Sequence, residues 1–467
     1  MYRDQIDAYI DSKKEEMLQD LSALVRINSQ RGKAQPGLPF GEEPARVLAK
    51  AEELMSSYGL KTTNYDNYVV TGDFGPGEKE LDILAHLDVV PVTEDWTVTQ
   101  PFEPLIVDGR IYGRGTADDK GPAIAALYAI RAIHDLGLPL KKSVRLILGS
   151  DEECGSSDLE HYYGIEKEAP YSFTPDADFP VINLEKARLA KSFRAEFQPS
   201  GILPRVLSLH AGAKVNVVPA NAEAVFEGLD KEQLKEYCTE AEKATGAAFQ
   251  VTEENASLKV LVKGTAAHAS TPEAGNSALT ALLTLISHLP LAECEAQECL
   301  LAISRMFPHK DTCGEALGVK MEDEISGALT MNLGILNYSE NTLYGEFDSR
   351  APLCASDGNL TAVMRSAFEK AGIEMEEGNM NPAHHVPADS DFVQTLLKSY
   401  ERYTGIKGKP FAIGGGTYVH ELERGVAFGC MTADVDNHMH GDDEFMVIDT
   451  LLMSAKIFAD VIMKLCG

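Results

Sequence analysis

The chain has 467 residues, a formal net charge of −30 and eight cysteines without a CxxC pair. This length exceeds what one hydrophobic core usually supports, so two or more domains are expected. An acidic surface argues against nucleic-acid binding, and no apolar run reaches the 18 residues of a membrane span. The first twenty residues lack a signal peptide's apolar region. The scattered cysteines predict reduced thiols in a cytoplasmic protein.

The first part of the chain alternates predicted helices and strands. Apolar spacing predicts helices over residues 3–27, 42–59 and 121–137, and short hydrophobic runs predict strands over 67–75, 81–90 and 143–150. This alternation is typical of a largely parallel sheet covered by helices. Ligands collect at the carboxyl ends of strands in such sheets. His86 and the segment Ser150–Glu153 are both predicted to lie there.

The middle of the chain has a different pattern. From about Ala187, strands with a helix on one face are predicted, and a similar order recurs near residues 328–376. This recurrence indicates a structural duplication. After about Pro387 the earlier character returns, with helices predicted over 390–405 and 446–467. The middle segment is therefore interpreted as an insertion into an α/β domain.

Four clusters of imidazole and carboxylate groups stand out: "LAHLDVVP" at 84–91, "GRGTADDKGP" at 113–122, "SDEECGSSD" at 150–158 with "TPDADFP" beyond it, and "HMHGDDE" at 438–444. Residues two apart on a strand share a face, so His86 and Asp88 are expected to project together. Each cluster also has an ordinary explanation: a satisfied core histidine, a helix cap at Asp118 or Asp119, a solvated charge run or a turn at Asp176. Together they supply the ligands that suit zinc or a neighbouring metal.

The first three clusters, "TPDADFP" included, resemble the signatures of the dinuclear zinc peptidase family that includes aminoacylase, carboxypeptidase G and the PepV-like dipeptidases. Their order and spacing fit over nearly the whole chain, and the PepV-like branch is the most similar. The resemblance implies two zinc ions, with manganese or cobalt as alternatives. The implied ligands are His86 and Asp176 for one ion, Glu153 and His440 for the other, and Asp118 as the bridge. His438 is an alternative to His440.

The same resemblance implies the catalytic and substrate-binding groups. Glu152 would be the general base that activates a metal-bridged water, and Asp88 would orient the ring of His86. His268 would donate a hydrogen bond to the oxyanion. The implied substrate contacts are Asn216, Arg350, Gly415, Gly416 and Thr417. The alternatives are a ligand or helix-cap role for Glu152, a flexible turn for the glycines, and an ion pair of Arg350 with Asp348 or Glu346.

The implied architecture is α/β. A catalytic domain, residues 1–186 and 384–467, has a mixed, mostly parallel sheet sandwiched by helices, and an inserted α+β lid domain, residues 187–383, consists of two similar halves. The implied activity is metal-dependent hydrolysis of dipeptides with a free N-terminus, so small peptides are the expected partners, without nucleic acid or membrane. The doubled lid predicts a monomer. The alternatives are an aminoacylase or deacetylase acting on N-acyl amino acids, or a non-catalytic metal- or peptide-binding protein.

Overall fold

The structure, a computed structural model, describes residues 2–254 and 257–467. The chain forms two compact units. The first comprises Met1–Leu184, His384–Phe411 and Gly416–Gly467, and the second comprises Glu185–Ala383 and Ala412–Gly415. Each unit has its own cluster of buried hydrophobic side chains. Among the described residues, no helix is both long and apolar enough to span a membrane.

The helices predicted over residues 42–59, 121–137, 390–405 and 446–467 are present with slightly different ends, whereas the helices at 157–163, 278–288 and 295–306 were not predicted. The α-helices of the described residues are α1 Arg3–Ser12, α2 Lys14–Val25, α3 Glu42–Ser57, α4 Lys120–Asp135, α5 Ser157–Tyr163, α6 Lys231–Thr245, α7 Ala278–His288, α8 Glu295–Met306, α9 Ala362–Lys370, α10 Asp391–Thr404 and α11 Ile448–Leu465. Short helical turns lie at Glu152–Cys154, Pro272–Ala274, Asp357–Thr361 and Tyr418–Glu421.

The strands of the described residues are β1 Lys61–Tyr65, β2 Val69–Phe74, β3 Lys79–His86, β4 Leu105–Val107, β5 Arg110–Tyr112, β6 Ser143–Gly149, β7 Tyr171–Thr174, β8 Ala177–Asp178, β9 Ile182–Glu185, β10 Ala187–Glu196, β11 Arg205–Ala211, β12 Asn221–Glu227, β13 Ala248–Glu254, β14 Ser257–Lys263, β15 Glu322–Asp323, β16 Gly327–Ala328, β17 Thr330–Ser339, β18 Thr342–Ala351, β19 Glu374–Met375, β20 His384–His385, β21 Phe411–Ile413, β22 Gly425–Ala427, β23 Cys430–Met431 and β24 Phe445–Val447.

The main sheet of the first unit is mixed. Its order is β1-β2-β6-β3-β7-β22-β9-β20, with β21 paired to β9. The strands β6, β3, β7 and β22 are parallel, whereas β1, β2 and β9 pair antiparallel with their neighbours. The parallel pairs are therefore confined to the centre, so the sheet is mixed as predicted but not mostly parallel. Helix α4, which is buried along almost its whole length, contributes to the core of this unit.

The second unit contains one antiparallel sheet in the order β13-β14-β12-β11-β17-β18-β10-β19. Its two halves meet at the pair of β11 and β17. In one half α6 connects β12 to the outermost strand β13, and in the other the segment containing α9 connects β18 to the outermost strand β19. The shared arrangement agrees with the prediction of two similar halves, and the α/β fold class is confirmed.

Two predicted elements differ from the structure. The single helix over residues 3–27 is wrong, because Lys13, at φ −98° and ψ 4°, separates α1 from α2. The strand over residues 81–90 is too long, because β3 ends at His86. Apolar spacing continues across both breaks, so it does not reveal where the backbone leaves its regular conformation.

Candidate metal centre and substrate contacts

Ligand-type atoms converge in two groups of the first unit, and the groups share Asp118. One group is His86, Asp118 and Asp176, and the other is Asp118, Glu153 and His440. His86 Nε2 lies 2.9 Å from Asp118 Oδ1, and His440 Nε2 lies 2.8 Å from Asp118 Oδ2. The two oxygens of one carboxylate thus face two different imidazoles. This arrangement suits a carboxylate that bridges two cations.

The central strands of the sheet bring most of these side chains together. His86 is the last residue of β3, Glu153 lies in the turn after β6, and Asp176 follows β7. These strands are parallel neighbours, so their carboxyl ends meet at one edge. Asp118 lies just before α4, and His440 lies in the loop before β24. The Asp118–Asp119 peptide bond is cis.

Several of the converging atoms are buried without a hydrogen-bond partner among the described residues. They are His86 Nε2, Asp118 Oδ1 and Glu153 Oε1. His86 Nε2 lies 2.9 Å from Asp118 Oδ1, and Glu153 Oε1 lies 3.2 Å from His440 Nε2, but neither contact has hydrogen-bond geometry. Buried polar atoms almost always have a hydrogen-bond partner, so three atoms without one in a single cluster need an explanation. Imidazole and carboxylate ligands suit zinc and related divalent ions. The residues therefore fit two divalent cations, one in each group.

The electrostatics of the cluster agree with this fit. Burial raises the pKa of Glu152 well above its usual range, and the charges of Asp176 and Glu153 raise it further. Burial and Asp118 likewise raise the pKa of Asp176. The carboxylates of Asp118 and Glu153 raise the pKa of His440 to about 10. Crowded carboxylates disfavour ionisation of one another, and a cation among them relieves that repulsion.

Asp88 contacts both the ring of His86 and the backbone of the two adjacent glutamates. His86 Nδ1 lies 3.1 Å from Asp88 O and 3.3 Å from Asp88 Oδ1. The Asp88 carboxylate accepts hydrogen bonds from Glu152 N at 3.2 Å and Glu153 N at 3.1 Å. The expectation that both side chains project from one strand is wrong, because β3 ends before Asp88. The loop instead brings Asp88 to Nδ1, which leaves Nε2 facing Asp118.

Glu152 and His438 lie outside both ligand groups. Glu152 is partly buried in the turn Glu152–Cys154. The start of α5 is bonded by Asp151, whose Oδ2 accepts from Ser157 N at 3.2 Å. Among the described residues, Glu152 therefore makes neither a contact of a metal ligand nor a capping bond to α5. His438 Nδ1 lies 3.1 Å from Asp442 O, within its own loop.

In the second unit, Asn216 and His268 are neighbours. Ala269 N donates to Asn216 O at 2.9 Å, and Val217 forms an isolated bridge with His268. His268 is exposed, and its Nδ1 lies 2.7 Å from Ser270 Oγ. The structure thus brings together a predicted substrate contact, Asn216, and the predicted oxyanion donor, His268, although 52 positions separate them in sequence.

Arg350, also in the second unit, is paired with Asp348. Its Nε donates to Asp348 Oδ1 at 2.6 Å and its Nη2 to Oδ2 at 3.0 Å, while Nη1 donates to Gly414 O. Arg188 Nη2 donates to the same Asp348 carboxylate at 2.9 Å. The ion pair considered as an alternative is therefore present, with Asp348 and not with Glu346.

The glycine loop, residues 414–417, is divided between the two units in sequence. Gly415 belongs to the second unit, and Gly416 and Thr417 belong to the first. Thr417 begins a short helical turn, where its hydroxyl accepts from Val419 N at 3.4 Å. The loop begins next to Arg350, because Gly414 O accepts one of its N–H groups.

Sequence reasoning assigned no role at the centre to two carboxylates that are buried beside it. Asp119 Oδ2 accepts from His86 N at 3.1 Å, and Asp119 makes no capping bond to α4. Glu444, the last residue of "HMHGDDE", is fully buried and pairs with Arg114. A signal for Glu444 was its position directly before the apolar run of β24, because a charge next to a buried strand needs a partner.

The comparisons with known proteins agree with this geometry. The chain matches "Peptidase family M20/M25/M40" over residues 83–464. It is 37% identical over 460 residues to "Putative dipeptidase YtjP" of Bacillus subtilis (strain 168), covering 97% of this chain and 98% of that protein. Human carnosine dipeptidase 1 has the same fold, with a TM-score of 0.62 at 15% identity, covering 100% of this chain and 99% of that one.

A third similar protein is Bacillus subtilis YXEP, described as a dinuclear metal-binding peptidase of the M20 family. It aligns with a TM-score of 0.50 at 12% identity, covering 97% of this chain and 99% of that one. A family match over most of the chain excludes the interpretation as a non-catalytic binding protein. The chain belongs to peptidase family M20/M25/M40, a family of dinuclear metal-binding enzymes that hydrolyse peptides, as the resemblance predicted.

Proposed function

We propose that this enzyme is a zinc-dependent dipeptidase that cleaves dipeptides with a free N-terminus. The observation that carries the proposal is the sharing of Asp118, whose two oxygens face His86 and His440 at 2.9 and 2.8 Å. The dipeptidase name of a relative that covers nearly the whole chain supports the substrate class. The imidazole and carboxylate ligands also accept manganese or cobalt, so the metal is part of the proposal.

His86, Asp118 and Asp176 would hold one ion, and Asp118, Glu153 and His440 would hold the other. Two such ions polarise a substrate carbonyl and lower the pKa of water in the site. Glu152 is the proposed general base: its carboxylate takes a proton from the attacking water and later gives it to the leaving amine. Asp88 supports both tasks, because it contacts His86 Nδ1 and accepts from Glu152 N.

The second unit is the proposed lid that recognises the substrate. His268 would donate a hydrogen bond to the developing oxyanion, with Asn216 beside it. Arg350 would bind the free carboxylate, helped by Gly415, Gly416 and Thr417 of the glycine loop. The contact of Ala269 N with Asn216 O supports the first pair, and the contact of Arg350 with Gly414 O supports the second. The doubled lid further predicts a monomer, which sedimentation velocity can test.

A substrate panel tests the function. Hydrolysis rates are measured for free dipeptides, N-acetylated dipeptides and N-acetyl amino acids, after chelation and re-addition of zinc, manganese or cobalt singly. We expect turnover of free dipeptides only, lost on chelation and restored by metal. Faster cleavage of N-acetyl amino acids than of dipeptides would show an aminoacylase or deacetylase instead, and activity that survives chelation would contradict the metal requirement.

A further inference from the structure

The carboxylate of Glu444 is surrounded by donors from the segment that leads to Asp118. Its Oε2 accepts from Arg114 Nη1 at 2.6 Å. Its Oε1 accepts from Ala117 N at 2.8 Å and Asp118 N at 3.2 Å. Gly115 N lies 3.1 Å from both oxygens. One buried carboxylate therefore fixes the backbone of the residue whose side chain is shared between the two ligand groups.

Arg114 and Gly113 also hold the loop that carries His440. Arg114 Nη2 donates to Gly441 O at 2.9 Å, the residue directly after His440. Gly113 N donates to Glu444 O at 2.9 Å. His440 itself lies at φ +61°, a backbone conformation that a residue with a side chain seldom adopts without support. The Glu444–Arg114 pair thus joins two segments 330 positions apart, each carrying one ligand of the second group.

We propose that Glu444 is a positioning residue of the metal centre. It would set the distance between Asp118 and His440, and through it the affinity of the group formed by Asp118, Glu153 and His440 for its ion. Glu444 would not touch metal or substrate. This inference rests on the proposed metal centre, and it adds a requirement that neither ligand group contains.

Replacement of Glu444 by glutamine would disturb this hydrogen-bond network. The amide of Gln keeps one acceptor oxygen and turns the other into an NH2 donor. That donor must face either Arg114 or the N–H groups of Gly115, Ala117 and Asp118, so at least one donor loses its partner. The segment before Asp118 then shifts, although no ligand has been removed. Partners outside the ligand set typically contribute about 10–100-fold to metal affinity.

Asp82 offers a matched control in the same unit. Its carboxylate accepts from Arg145 Nε at 2.8 Å, Arg145 Nη2 at 2.6 Å and Ala169 N at 3.0 Å. Both side chains of this pair are 0% exposed, compared with 2% and 0% for Arg114 and Glu444. Asp82 lies four residues before His86 on β3, about 13 Å along the strand. Asp82→Asn therefore breaks an equally buried pair away from the ligands.

The experiment competes zinc out of the full-length, zinc-loaded protein with a chromophoric chelator of known affinity, and thermal unfolding is recorded for each variant. We expect Glu444→Gln to lose one of its two ions about 10–100-fold more readily than wild type, and Asp82→Asn to lose stability while it releases zinc as wild type does. Equal zinc affinity in wild type and Glu444→Gln would overturn the proposal. Equal weakening of zinc binding by Asp82→Asn would overturn it as well.

If Glu444→Gln does not fold, Glu444→Asp repeats the test, because its shorter side chain keeps the charge but cannot reach all four donors. Failure of both variants to fold, while Asp82→Asn folds, would make Glu444 a stabilising residue only and would also overturn the proposal. A wild-type protein that binds fewer than two zinc ions would instead refute the proposed metal centre. The two failures are therefore distinguishable.

Discussion

The adjacent glutamates of "SDEECG" should respond to substitution in opposite ways. We expect Glu152→Gln to keep two metal ions per chain but lose most of its turnover, and Glu153→Gln to lose metal. The physical reason is the position of each carboxylate. Glu153 Oε1 lies 3.2 Å from His440 Nε2 within the second ligand group, whereas Glu152 belongs to neither group.

The expected loss of turnover in Glu152→Gln follows from the role of Glu152 as a general base. A general base contributes about 10²–10⁴-fold to the rate, which corresponds to about 3–5 kcal/mol of transition-state stabilisation at 1.36 kcal/mol per tenfold. The loss should appear in kcat, because glutamine keeps the shape of Glu152 but cannot accept the proton. Removing Glu153 takes away one of the three proposed protein ligands of that ion, so zinc affinity should fall by more than the about 10–100-fold typical of partners outside the ligand set.

Metal content by atomic absorption and steady-state kinetics on a free dipeptide test both statements. The exposed Glu160 on α5 provides a control: Glu160→Gln should leave metal and kcat unchanged. Loss of an ion from Glu152→Gln would make Glu152 a ligand and refute the assignment as the base. Retention of both ions by Glu153→Gln would refute the ligand set.

Three further predictions concern other parts of the chain. Arg350→Ala should lower kcat/KM for dipeptides by a factor that corresponds to about 2–5 kcal/mol, and it should change kcat/KM for dipeptide amides little. Equal losses on both substrates would leave Arg350 with a structural role only, as the partner of Asp348. Zinc binding at pH 7 should release at least one proton, because the neighbouring carboxylates raise the pKa of His440 to about 10 and the ring must lose its proton to bind. Affinity should therefore rise about tenfold per pH unit for each proton released, and calorimetric heats that do not depend on the buffer would contradict this. Gly149→Ala should lower the free energy of unfolding by about 1–3 kcal/mol in denaturant titrations, because the new Cβ would overlap the Tyr418 hydroxyl and the Asp158 carboxylate; unchanged stability would contradict this.

The sequence could predict features that depend on local pattern. Buried strands have continuous apolar runs, so β3 and β6 were predictable, and with them the strand-end positions of His86 and Glu153. The order of strands and helices was enough for the α/β class. The residues proposed as ligands were named from the motif resemblance, and the structure brings all five together.

Features that depend on contacts between distant segments could not be predicted in this way. The pair of Arg114 and Glu444 joins positions 330 apart. The position of Glu444 before an apolar run signals that it needs a partner, but nothing in the local sequence identifies Arg114 as that partner. The break between α1 and α2 at Lys13 leaves the apolar spacing intact. The antiparallel strands on both sides of the parallel centre follow from tertiary pairing, about which the order of strands and helices says little.

The surroundings of Arg350 show that a structural pair and a substrate contact need not exclude each other. Asp348 is fully buried and accepts hydrogen bonds from both Arg188 and Arg350. One carboxylate between two guanidinium groups leaves the three side chains with one positive charge. A planar guanidinium that is held on one edge by Asp348 loses less freedom when another edge meets a carboxylate. In a chain with a net charge of −30, such a fixed positive group is a suitable place to bind the C-terminus of a dipeptide. Asp348 would then orient Arg350 for the substrate, and the comparison of dipeptides with their amides tests this role directly.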